Sequence, residues 1–289
     1  MDPLFFLIQV LNGVQYGLLL FLIASGLTLV FGILQVINLA HGSFYMIGAY
    51  LAFWLTARSG SLWIAILGGL PLALLLGFAV ERLMIRFLYK RDHLTQVLLT
   101  YGLILILNEA QRLIFGSDVH GVPVPEIFAG SIQLTDTLSY PVYRLAVSGI
   151  CLILVILMMV VIQTTRLGMY IRAGSVNREM VQLLGVDVQR LCTLVFAAGA
   201  GLAAFAGMVA APLSSVYPGI GEHILIICFV IVVIGGIGSI KGAFIAALLV
   251  GLADTFGKIA VPEFASMSVY AVMAAILLWR PQGLFGRAG

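Results

Sequence analysis

The chain has 289 residues, of which 62% are hydrophobic and only 9% charged, where a soluble globular domain carries roughly 25% charged. With a mean hydropathy of +1.15 and apolar runs along the whole length, this composition excludes a soluble enzyme, a disordered chain, and a soluble enzyme hung from one membrane anchor. The net charge of +3 is too small and too dispersed to make a nucleic-acid surface.

A helix needs about 20 apolar residues to cross a bilayer. Nine candidate spans follow in chain order: Leu4 to Phe31, Leu39 to Thr56, Leu62 to Val80, Leu94 to Phe115, Val142 to Ile162, Leu191 to Ala211, Ile224 to Ile234, Ala243 to Phe256 and Phe264 to Leu278. No Lys or Arg precedes Arg58, so the first run lacks the basic start of a cleaved signal peptide and is expected to stay in the mature protein. The seventh and eighth runs are short, and Gly32, Asn38 and Gly42 interrupt the pattern between the first two. Broken or re-entrant helices are expected at these places. The fold class is therefore all-α: a polytopic membrane protein with about nine transmembrane helices, eight or ten if a re-entrant segment is recounted.

Basic residues in short loops set orientation. One side of the nine-span arrangement collects Arg82, Arg86, Lys90, Arg91, Arg166, Arg172, Arg178, Arg190, Lys241, Arg280 and Arg287; the other has only Arg58, Arg112, Arg144 and Lys258. This bias puts the N-terminus and the acidic loop of Asp118, Glu126 and Asp136 outside, and the C-terminus in the cytoplasm.

Within the first two runs, Asn38, His41 and Ser43 gather in an otherwise apolar stretch. Asn38 is suited to cap a half-helix beginning there. In a transporter such starts face the substrate route; the plainer reading is a cap at Asn38 and a hydrogen bond from His41 to a neighbouring helix. Glu109 with Arg112, and Asp254 with Lys258, are spaced to pair on one helix face. Internal ion pairs explain them, and a proton relay is the alternative.

Small residues recur at intervals of four: Gly199, Ala203, Gly207 and Ala211; Gly13 and Gly17; Ala243, Ala247 and Gly251. Such stripes let helix backbones approach closely in lipid, within the chain or between subunits. Cys151, Cys192 and Cys228 sit inside apolar runs and read as small buried residues. The four histidines lie far apart, and GGIGSIKG lacks the hydroxyl that follows the lysine of a phosphate loop. The chain is thus not read as an enzyme, and no metal or nucleotide site is expected in it.

Between the fifth and sixth runs, about 164–190, the segment is too polar to cross. Asn177 can cap a two-turn helix with Glu179 in its first turn, and Gly185 can end it in the left-handed conformation. A helix that short is unstable alone. Its apolar face of Met180, Val181, Leu183 and Leu184 must dock, either on the chain's own membrane domain or on a partner.

The stretch from Glu179 to Gly185 resembles the EAA-x3-G coupling motif of ABC importer permeases, with Met180 and Val181 where the two alanines usually stand. GLTLVFGILQVINLAHGSFYMIGAY, RAGSVNREMVQLLGVDV, GGIGSIKGAFIAALLVGL and RPQGLFG resemble the LivH-type permease of branched-chain amino acid importers. Relatives of that type also carry urea, amides or other amino acids. The resemblance runs from Gln9 to Gly286. It implies a single transmembrane permease domain, 1–289, in a bacterial inner membrane. Implied partners are membrane lipid, a second homologous permease, two cytoplasmic ABC ATPase subunits that use ATP, and a periplasmic binding protein. It also implies coupling to the ATPase through Asn177, Arg178, Glu179, Met180, Val181, Leu183, Leu184 and Gly185. Asn38, His41 and Ser43 remain the candidate translocation route, and a self-sufficient ion-coupled carrier of a small polar solute is the rival reading.

Overall fold

The computed structural model describes residues 3–89, 91–135, 138–260 and 262–286. Lys90, Asp136 and Arg287, used above for orientation, lie outside the described residues. Among the described residues are eleven α-helices. Six are long and apolar enough to cross a membrane, and two shorter apolar helices accompany them. The chain is a polytopic membrane protein.

Helix α1 (Pro3–Leu34) opens with proline in its first turn, where the missing N–H costs nothing. It is apolar on every side, which suits a helix surrounded by others, and from Leu18 to Val30 it is buried throughout. After a non-helical connection come α2 (His41–Ser59), α3 (Leu62–Leu83), a 3₁₀ turn (Ile85–Leu88) and α4 (His93–Phe115). The hydroxyl and N–H of Thr95 donate to the Asp92 carboxylate that caps α4, and hold its pKa below the usual range.

A two-stranded antiparallel hairpin, β1 (Ser131–Thr135) and β2 (Leu138–Pro141), precedes α5 (Val142–Thr164). The architecture is all-α as expected, with this hairpin as a small addition whose strands of five and four residues are too short to register in a search for spans. Next are α6 (Arg166–Val176), α7 (Arg178–Leu183), α8 (Val188–Ala210), α9 (Ile220–Gly235), α10 (Ile240–Ala260) and α11 (Ala265–Trp279). Helix α6 was not foreseen. It is capped by Thr165, whose hydroxyl accepts from the Gly168 N–H at 3.2 Å.

Glycine contacts build the centre. A methyl group at Gly26 would stand 2.7 Å from the carbonyl oxygen of Gly199, which joins α1 to α8. At Gly48 it would stand 2.0 Å from that of Ala204, joining α2 to α8, and at Gly17 2.8 Å from that of Ala247, joining α1 to α10. All three small-residue stripes are therefore used inside the chain, where close backbone approach replaces the hydrophobic drive that lipid cannot supply. The outer helices behave oppositely. Leu67 and Leu75 on α3, Leu98 and Leu113 on α4, and Ile153 and Leu157 on α5 are exposed, as lipid contact requires.

The bundle has two distinct ends. At one, which contains the described members of the basic set, Arg86 bonds Gln189, and the N–H of Leu284 in the C-terminal tail donates to the carbonyl of Ile234. At the other, Trp63 meets Phe128 at 6.0 Å, and the Tyr143 hydroxyl donates to the Val209 carbonyl at 2.8 Å.

Candidate coupling face and translocation-route residues

The coupling segment lies at the basic end. Asn177 separates α6 from α7, and its Oδ1 accepts from the Met180 N–H at 2.9 Å. Glu179 stands in the first turn of α7. Gly185 has φ 84, and a Cβ there would touch nothing within 4 Å. Glycine is required at this exit by backbone angle and not by space. The apolar face divides in a way that sequence spacing does not reveal. Val181 is 5% exposed and anchors α7 to its own domain, while Leu183 is 82% and Leu184 76% exposed, with Met180 half-exposed.

The interrupted stretch is the reverse case. Between Leu34 and His41 the chain turns at Gln35, the one non-glycine with positive φ among the described residues, and runs without helix through the interior to a turn at Leu39 and Ala40. Thr100 and Gln96 of α4 serve its backbone: Gln96 Oε1 accepts from the Ile37 N–H, and the Thr100 hydroxyl donates to the Ile37 carbonyl, while Gln96 Nε2 donates to the Leu88 carbonyl of the 3₁₀ turn. Asn38 is fully buried, but it is not the helix cap that was expected. Ala40 is the cap residue of α2, without a side-chain bond, and Asn38, two residues before it, accepts with Oδ1 from the Ala40 N–H at 3.1 Å. The non-helical connection leaves Asn38 inside the bundle, where its Nδ2 has no hydrogen-bond partner among the described residues. His41 Nε2 lies 2.9 Å from the Ile23 carbonyl oxygen, and Ser43 is buried beside it on α2.

Two polar cavities lie toward the opposite end, and neither is lined by Asn38, His41 or Ser43. One, of about 620 Å³, is lined by Asn108, Glu109 and Arg112 of α4 and by Tyr217 to Gly219 before α9. The other, of about 380 Å³, brings together Asn12, Gln15, Tyr16, Arg144, Asp254 and Lys258. The expected ion pairs form there: Lys258 to Asp254 at 2.5 Å and Arg112 to Glu109 at 3.6 Å. Contacts between distant elements were missed, notably Asn108 to Glu222 at 2.6 Å and Arg144 to Asn12 at 2.8 Å. The signal available was the presence of Asn and Gln within apolar runs, which predicts a partner but not which one.

Also missed was a buried acid at the basic end. Glu81 of α3 is fully buried and accepts from the Tyr89 hydroxyl. Burial, followed by that bond to Glu81, pushes the Tyr89 phenol well above its usual range.

A family model described as "Branched-chain amino acid transport system / permease component" matches residues 9–278. The chain is 31% identical to the high-affinity branched-chain amino acid transport system permease protein LivH of Escherichia coli strain K12, across 98% of this chain and 96% of that protein. It is 31% identical to the corresponding permease protein BraD of Pseudomonas aeruginosa, with the same coverage of each. Similarity extends to the permease protein LivM of Escherichia coli strain K12, at 29% identity over 91% of this chain and 67% of LivM. No solved structure matches.

Proposed function

This chain belongs to the branched-chain amino acid transport permease family, and we propose from that premise that it is the membrane subunit of an ABC importer for branched-chain or related amino acids. It is a transport component and not an enzyme. The observation that carries the mechanism is the divided face of α7: a capped two-turn helix, anchored by Val181, holds Leu183 and Leu184 out from the basic end. An apolar pair so presented fits an apolar groove on a second protein. In this reading the groove belongs to a cytoplasmic ATPase subunit, which supplies ATP hydrolysis.

Likeness to both LivH and LivM supports a pore shared by two homologous permeases, with a periplasmic binding protein delivering substrate. The whole chain forms one permease domain, with α6 and α7 as its cytoplasmic coupling segment. The basic end faces the cytoplasm of a bacterial-type cell, nine helices (α1–α5 and α8–α11) cross or partly cross the inner membrane, and the N-terminus is outside. Asn38, His41 and Ser43 border the route from within, where the unpartnered Asn38 amide gives the connection a polar group to offer when the bundle opens.

Purification of the complex at its natural expression level tests the reading. ATPase subunits and a second permease should accompany the chain, and proteoliposomes should take up amino acid only with ATP and the binding protein. An impermeant label should reach a cysteine at Glu126 from outside and one at the exposed Val176 only after lysis. Uptake by the chain alone under an ion gradient would instead establish the carrier.

A further inference from the structure

Four elements converge on one side chain at the basic end. Arg178 is the first residue of α7. Its Nη1 donates to the carbonyl of Leu34, the last residue of α1, at 3.3 Å, and its Nη2 lies 3.1 Å from Cys192 Sγ on α8. The guanidinium carbon is 5.2 Å from the centre of the Tyr89 ring, and the Tyr89 hydroxyl donates to Glu81 at the end of α3. Glu81 is fully buried, and its Oε2 has no hydrogen-bond partner among the described residues. A carboxylate in that setting needs a nearby cation. Arg178 supplies one across the Tyr89 ring, and both charges act on Tyr89 and on Cys192.

The carbonyl held by Arg178 is also specific in its place. It is the last one before Gln35, whose φ of 52 starts the connection that carries Asn38. A guanidinium has several donors in a fixed plane, so it can bind a carbonyl, touch a thiol and lie against an aromatic ring at once. Val181 contributes apolar contact, which resists separation but sets direction poorly.

We infer that Arg178 is a positioning residue for transport, fixing the coupling helix to the exit of α1 so that a displacement of α7 reaches the buried connection, with Glu81 holding the guanidinium in place. The inference rests on the reading of α7 as the helix that docks on an ATPase. Coupling of this kind travels through contiguous contacts between elements that move as units, and here the path is α7, Arg178, Leu34 and the turn at Gln35.

The test uses the assembled complex in proteoliposomes and measures ATP hydrolysis and amino acid uptake in the same preparation. Arg178→Gln leaves Met180, Leu183 and Leu184 in place, so ATPase should still copurify. Uptake per ATP hydrolysed should fall about tenfold while hydrolysis stays within about twofold. Glu81→Gln, which keeps shape and removes charge, should lower the same ratio. Because Arg178→Gln leaves Glu81 uncompensated and endangers folding, the double variant is the second measurement. It should assemble, and its ratio should be no lower than that of Arg178→Gln alone, since both changes break one link. Three results would overturn the inference: an unchanged ratio, hydrolysis and uptake falling in proportion, or additive losses in the double variant. Failure of the docking reading is distinct, because Leu183→Asp would then leave ATPase copurification intact.

Discussion

The α7 helix and the α1–α2 connection are both short interruptions in a long apolar sequence, yet they expose opposite chemistry. Helix α7 holds apolar Leu183 and Leu184 where the chain offers them nothing, while the connection holds polar Asn38 where it offers the side-chain amide nitrogen nothing. An exposed apolar pair on a two-turn helix is completed from outside. A buried polar residue in a non-helical segment can be completed only from within, by backbone or by neighbouring helices. The first arrangement suits a surface that receives force, and the second a place where the bundle can change its internal bonds.

Glycine separates the two regions most sharply. Gly42, next to the start of α2, has space for no more than hydrogen, because a methyl there would lie 2.0 Å from the carbonyl oxygen of Gly221. Gly42→Ala is therefore expected to have the largest effect. Overpacking costs about 1–3 kcal/mol or more, and a thermal-unfolding assay in detergent should show a clear drop in midpoint, with poor recovery of folded protein. A midpoint equal to the parent's would mean that α2 and α9 are not packed backbone to backbone.

Next in size is Leu183→Asp on α7. The membrane domain should keep its thermal midpoint, since this side chain is exposed, while a carboxylate driven into an apolar groove costs about 3 kcal/mol, roughly a hundredfold in association. Pull-down of the ATPase measures it. Gly185→Val should follow, because an L-residue in the left-handed region costs about 1–2 kcal/mol and a β-branched one is strongly disfavoured. Uptake should fall several-fold, whereas Gly185→Asn should keep most of it. If both variants behaved alike, the positive φ at Gly185 would not be what shapes the helix exit.

Asn38→Leu and His41→Leu probe the other side of the comparison. Each removes a hydrogen bond worth about 0.5–1.5 kcal/mol net, so assembly should survive and uptake should be impaired. Normal uptake in both would leave them as structural residues. The smallest effect belongs to Gln35→Gly, which relieves a positive φ on an exposed side chain and should change stability by no more than about 1 kcal/mol, in the favourable direction.

Much of this was readable from residue order, for reasons that differ by element. Asn177 and Gly185 could be assigned to the ends of α7 because caps act within three or four residues. The Asp254–Lys258 pair was equally local. The stripes at Gly13, Gly199 and Gly251 announced close packing, but which helix each would meet depends on the three-dimensional order of the bundle. Asn38 misled because a good cap residue stands two positions before the actual cap, Ala40, and a long-range bond from the Ile37 N–H to Gln96 helps keep the intervening segment out of the helix. Glu81 went unnoticed because it stands beside Arg82 in a basic loop sequence, where an acid reads as surface charge; its partner Tyr89 is eight residues away.

The most direct measurement places a photo-crosslinking amino acid at Leu183, Leu184 or Val181 in the assembled complex and identifies what each captures. The account predicts crosslinks to the ATPase subunit from positions 183 and 184, and from position 181 crosslinks within the permease itself. Crosslinking to the ATPase from Val181 alone, or from none of the three, would contradict the claim that the exposed half of α7 is the face through which this permease is driven.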